Sequence, residues 1–247
     1  MYPFNRSWSV ENAVQLACVL EACAPKLGNV HPGASFSDVR FEHFVASGLA
    51  IAPSFASPLT EASHNSSRAS GSSVGSSVCG VVGAAVQRMR AAAGSNTHLG
   101  TILLLAPLAQ AAARCRGKVR LCSLRDSVGG VLDSLDADDA AEVYAAIGQA
   151  KPGGLGTRES ADVRGAAPES LVAAMAQVAE HDGVARQYVN AFSDVFDLLL
   201  PWLEAALRNS GSPAEAICQL QLRWLAHEPD GLIVRKCGLI PVSYTHL

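Results

Sequence analysis

The 247-residue chain is 49% hydrophobic and 17% charged, with a net charge of −3. That composition supports a sizeable core and excludes a disordered chain, and it lacks the basic excess of a nucleic-acid binder. No apolar stretch approaches the roughly 20 residues that span a bilayer, and seven cysteines without a C-x-x-C pair exclude a disulfide framework and a structural zinc site.

The expected elements are helices. The first runs over 9–24, capped by Ser9, with Val10, Ala13, Val14, Ala17 and Leu20 as its apolar stripe. Pro25 stops it, and a loop rich in Gly, Asn, His and Pro fills 26–35. A second helix over 40–51 carries Phe41, Phe44, Val45 and Leu49 on one side. Residues 57–73, dominated by Ser, Ala and Gly, read as a flexible loop. A third helix occupies 74–93, and Gly94-Ser95-Asn96-Thr97 separates it from a fourth over 97–116. The fourth is apolar all round, as a buried central helix is. Pro107 within it removes the bond to the Leu103 carbonyl and should kink it. Asp136 and Asp139 start a helix that ends near 150. Lys151 to Thr157 is a glycine-rich turn. Helices follow over 168–181, 183–197, 198–209 and 213–227, the last opened by a Ser212-Pro213-Ala214-Glu215 capping box. No alternating pattern long enough for a sheet occurs. The expectation is an all-α fold: one compact multi-helix domain over residues 1–240 around a buried central helix. The end, PVSYTHL, resembles a translated sequencing adapter, so 241–247 are read as not native and left out of the fold.

Three polar, glycine-bearing junctions interrupt the apolar helices: 24–36, 94–100 and 151–156. Glycine lets backbone approach a ligand. Asn96 and Thr97 stand where a helix begins, and free N–H groups there suit a phosphate. Lys26 adds a point charge. Asp182 and Arg186, four apart, should face each other on a helix. None of the junctions is a Walker A loop or a dinucleotide fingerprint. Each alone reads equally as a turn.

Taken together and in order, Pro-Lys-x-Gly-Asn-Val-His from Pro25, Gly33-Ala34-Ser35-Phe36, Asn96-Thr97-x-Leu99-Gly100, Pro152-Gly153-Gly154-Leu155-Gly156 and Asp182-x-x-Ala185-Arg186-Gln187-Tyr188 resemble a divergent branch of the triphosphoribosyl-dephospho-CoA synthase family. Leu27, Ser35 and Leu99 stand where that family has proline, histidine and lysine. The resemblance implies transfer of the triphosphoribosyl group of ATP onto 3′-dephospho-CoA with release of adenine, in prosthetic-group biosynthesis. The first residues show no basic stretch followed by an apolar one, so the expected location is the cytoplasm. ATP is then a substrate and Mg²⁺ an expected companion. The implied catalytic residues are Glu21, Asp38 and His31. Lys26, Gly28, Asn29, Asn96, Thr97, Gly100, Gly153, Gly154 and Arg186 are implied to bind substrate phosphates, and Asp38 and Asp182 to hold the metal. The expected partners are small molecules, neither nucleic acid nor membrane. Two other readings stay open: a related ATP-using ribosyl transferase or N-glycosyl hydrolase in another cofactor pathway, such as that of a pterin, and a non-catalytic nucleotide-binding helical protein.

Overall fold

A computed structural model describes residues 8–56, 77–115, 119–151 and 168–229. The expected loop over 57–73, the Gly153–Gly154 turn and the 241–247 tail lie outside these residues. Among the described residues there is no strand, only an isolated bridge between His31 and Ala34.

Ser9 accepts the Asn12 N–H and opens α1 (Val10–Cys23). Its buried face is Val14, Cys18 and Ala22, whereas Ala13 and Ala17 of the expected stripe are exposed. The rotation has a local cause in α2 (Phe41–Ile51). That helix buries the small residues Ser47 and Gly48, together with Ile51, and leaves Leu49 exposed. A Cβ on Gly48 would lie 2.7 Å from the Cys18 Cβ. The two helices therefore meet at a glycine, and small residues fill the seam that large apolar ones were expected to fill. A short 3₁₀ turn, Ala52–Phe55, follows.

The centre is α3 (Val78–Ala93) with α4 (Leu99–Arg114). Ser77 caps α3 by accepting the Gly80 N–H, and Gly94, at φ 68°, ends it in the left-handed region. Helix α3 packs against α2, α4 and α6. In α4 only Arg114 is exposed, as expected of a buried central helix. The helix continues through Pro107, and the Leu103 carbonyl that Pro107 cannot serve accepts instead the Tyr188 hydroxyl at 2.8 Å. Helix α5 (Leu121–Asp133), which the sequence reading did not anticipate, covers α4 with Val128, Val131 and Leu132. Asp136 and Asp139 form a reciprocal capping box at the start of α6 (Ala137–Ala150).

The second half breaks up more than its pattern suggested. Helix α7 (Leu171–Ala176) is short, and α8 (Gly183–Val189) stops after seven residues. Ala191 and Phe192, at φ 51° and 63°, then turn the chain into a π-helical segment, Asp194–Leu199, which leads into α9 (Leu200–Asn209). Helix α10 (Pro213–His227) is capped by Ser212, which accepts the Glu215 N–H at 3.2 Å. The expected box is not reciprocal, because Glu215 accepts from the Gly211 N–H instead.

A candidate active site where three helix ends meet

The first junction begins where Pro25 halts α1. Lys26 is buried at 8% exposure and donates to Glu21 across a salt bridge. Gly28, at φ 72°, turns the loop. Gly28 and Asn29 are exposed. His31 Nδ1 accepts the Gly33 N–H at 3.1 Å, so a neutral His31 ring carries its proton on Nε2. Helix α10 fixes this loop from outside. The Gln221 carboxamide accepts the Leu27 N–H and donates to the Leu27 carbonyl, both at 2.9 Å.

The second junction is the start of α4. Asn96 Oδ1 accepts the Leu99 N–H at 3.1 Å. Ser47 donates to the His43 carbonyl at 2.6 Å, so in its 2.7 Å contact with Thr97 the Thr97 hydroxyl is the donor. Among the described residues its lone pairs are then left over. Gly100 and Thr101 stand in the first turn, where N–H groups lack intrahelical acceptors. His98, which the sequence reading passed over, is 2% exposed. Its Nε2 donates to the Phe44 carbonyl at 2.9 Å and its ring stands edge-on to Phe44. Burial pushes the His98 pKa below its usual 6.5, against the pull of the Phe44 carbonyl and of Glu21 and with that of Lys26. His98 thus lies within the field of the Glu21–Lys26 pair.

The third element is α8. Asp182 caps it, its Oδ1 accepting the Val184 and Ala185 N–H groups at 3.0 and 3.1 Å. Arg186 does not take Asp182 as the partner its spacing suggested. Its Nε donates to Asp194 Oδ2 at 2.8 Å, and its Nη1 and Nη2 both donate to Glu228 just beyond α10. The bonds to Glu228, outweighing burial, hold the guanidinium charged well above its usual range. The Trp224 ring lies 5.7 Å from its Cζ.

These junctions are linked. A Cβ on Gly100 would lie 3.6 Å from Val184, so the first turns of α4 and α8 abut. Helix α10 joins the Lys26 loop, through Gln221, to Arg186, through Glu228. Gln221 stands six residues before the end of α10 at His227, and Glu228 directly follows that end. Asp38 is exposed on the loop before α2. Among the described residues no group of three or more His, Cys, Asp or Glu side chains could hold a metal. A cleft between α9 and α10, lined by Trp202, Ala206, Asn209, Gln219 and Arg223, contains none of the candidate residues.

The model of the ATP:dephospho-CoA triphosphoribosyl transferase family matches residues 7–243. The chain belongs to that family. It is a transferase that moves the triphosphoribosyl group of ATP onto dephospho-CoA, and nothing favours the hydrolase or non-catalytic readings. No curated protein and no solved structure matches the chain. The geometry of this transferase adds residues that sequence reasoning missed. Asp194 and Glu228 hold Arg186 from 8 and 42 residues away, separations that no helical spacing rule reaches. Gln221 is one of two glutamines on its helix, and nothing in the sequence singles it out.

Proposed function

We propose that this transferase binds the triphosphate of ATP between Lys26 and Arg186, over the first turn of α4. The observation that carries this reading is the double link just described: α4 abuts α8, and α10 ties the Lys26 loop to Arg186. Two cations on elements that α10 ties together, with the helix-start N–H groups of α4 against α8, would make a track for an anion. Gly28 and Asn29 line the loop end of that track, and Gly100, Asn96 and Thr97 its middle. Gly153 and Gly154 are assigned to it from the resemblance alone.

In the reaction the bond between the ribose anomeric carbon and adenine breaks, and a bond from that carbon to the acceptor hydroxyl forms. Adenine leaves. Glu21 is proposed to take the hydroxyl proton. One of its oxygens is engaged by Lys26, and the side chain is 39% exposed, leaving the other oxygen for the acceptor. A carboxylate there also favours the positive charge that builds on the sugar. His31 is proposed to donate a hydrogen bond from Nε2 to departing adenine, since its Nδ1 already accepts from Gly33, and adenine takes its proton from water. Mg²⁺ arriving with the triphosphate keeps phosphate oxygens and waters as ligands and needs only one or two protein carboxylates. Asp38 and Asp182 are the candidates, with the Thr97 lone pairs open to a metal-bound water. The reading takes residues 1–240 as one domain working in the cytoplasm.

The test is the KM for ATP in Lys26→Met. Loss of a charge-assisted contact, at about 1.5–3 kcal/mol, raises it at least about tenfold. An unchanged KM contradicts the track.

A further inference from the structure

Arg186 is gripped by two carboxylates of unlike construction. Asp194 is built in. Beyond Arg186 Nε, it accepts from Gln187 Nε2 at 2.8 Å and from Asn190 Nδ2 at 3.1 Å. Burial raises its pKa, but the bonds from Arg186, Gln187 and Asn190 outweigh that and leave it low. The chain accepts two penalties to set it there. Ala191 and Phe192 occupy the left-handed region in succession, a strained conformation for residues with a side chain. Gln187, 4% exposed, turns its N–H groups to Gly183 and Asp194, and its Oε1 is left in the interior without a partner among the described residues. An acceptor buried in this way is destabilising.

Glu228 is held differently. It follows the last residue of α10 in extended conformation, φ −149°. Its carboxylate bonds only to Arg186 among the described residues. It sits at the negative end of the α10 dipole, where a carboxylate is disfavoured. It also covers the Nη1–Nη2 edge of the guanidinium, the fork that receives two oxygens of a phosphate.

We propose that Glu228 is a place-holder for a substrate phosphate on Arg186, exchanged for the triphosphate when ATP binds, while Asp194 positions Arg186 for either partner. This rests on the reading of Arg186 as a phosphate ligand. The exchange keeps the half-buried guanidinium paired in both states, since a buried cation left alone is costly. It also sets a threshold. A singly charged anion gains little by replacing a tethered carboxylate, whereas a triphosphate brings enough charge to displace it. Released Glu228 regains water at a helix end where, among the described residues, its carboxylate has no other partner.

The test is calorimetric titration of the full chain with ATP and with sodium tripolyphosphate, each with Mg²⁺. Glu228→Gln is expected to bind both about tenfold tighter. Glu228→Asp, which keeps the charge but shortens the reach, falls between it and the parent. Asp194→Asn is expected to bind both about tenfold more weakly. The opposite signs are the signature, because two carboxylates with purely structural roles shift affinity the same way. If Glu228→Gln binds tripolyphosphate equally or more weakly while Arg186→Gln also loses affinity, the place-holder is overturned and the phosphate role of Arg186 stands. If Arg186→Gln binds tripolyphosphate as the parent does, both are overturned. An equal gain for adenosine, which has no phosphate, overturns the exchange as well.

Discussion

Pro107 and Tyr188 belong to different helices, yet their energetics should be inseparable. Pro107 leaves the Leu103 carbonyl without its helical donor, and the Tyr188 hydroxyl supplies one at 2.8 Å with Tyr188 1% and Leu103 6% exposed. Tyr188→Phe keeps the ring and removes only the donor, so no cavity of consequence opens. The carbonyl is then buried and unpaired, at about 1–3 kcal/mol. For a domain near this size about 2 kcal/mol corresponds to a fall in Tm of roughly 4–8 °C. Pro107→Ala restores an N–H four residues beyond Leu103. In that background Leu103 regains a helical donor, and Tyr188→Phe should cost at least about 1 kcal/mol less, the coupling expected of groups sharing one partner. Urea denaturation of the four proteins measures the cycle. If Tyr188→Phe costs the same in the Pro107→Ala background as in the parent, or costs nothing in the parent, the assignment of the Leu103 carbonyl is wrong.

Two further outcomes concern the seam beside the site. His98 has a folded-state pKa depressed by burial below 6.5. The unfolded chain therefore binds the proton more readily, so the His98 contribution is present above pH 6.5 and lost as pH falls through the folded value. Stability measured from pH 7 downward should decline, and His98→Gln should flatten that decline. An identical slope in the variant refutes the role. Gly48→Ala would set a Cβ 2.7 Å from Cys18 Cβ, and the overpacking should destabilise by about 1–3 kcal/mol. An unchanged Tm would mean that α1 and α2 have room to part.

Helix identity was legible where capping and periodicity agree, as at Ser9, Asp136 and Ser212, whose side chains accept the expected N–H groups. Burial was less legible. Ser47 and Gly48 are core because α1 approaches them, a fact of tertiary contact that hydropathy does not carry. Helix α5 escaped notice because Arg125, Asp126, Gly129 and Gly130 interrupt its apolar spacing, yet Val128, Val131 and Leu132 are covered by α4. The stretch from 183 to 197 read as one helix, and its period gives no sign of the left-handed pair Ala191–Phe192. That break brings Asp194 back to Arg186, so the partner of the one candidate cation on α8 was invisible to an i, i+4 rule. The candidate residues came from motif order. Their pairing came from the fold.

The central claim is that Glu21, Lys26 and Arg186 act on one ATP molecule whose ribosyl group passes to an acceptor. The direct measurement is chromatographic detection of free adenine from ATP and Mg²⁺, with and without dephospho-CoA, for the parent, Glu21→Gln and Arg186→Gln. Adenine should appear with the parent only when dephospho-CoA is present. It should fall at least about a hundredfold in Glu21→Gln, the scale of a lost general base, and Arg186→Gln should need far more ATP. Adenine released without the acceptor, or undiminished in both variants, contradicts it.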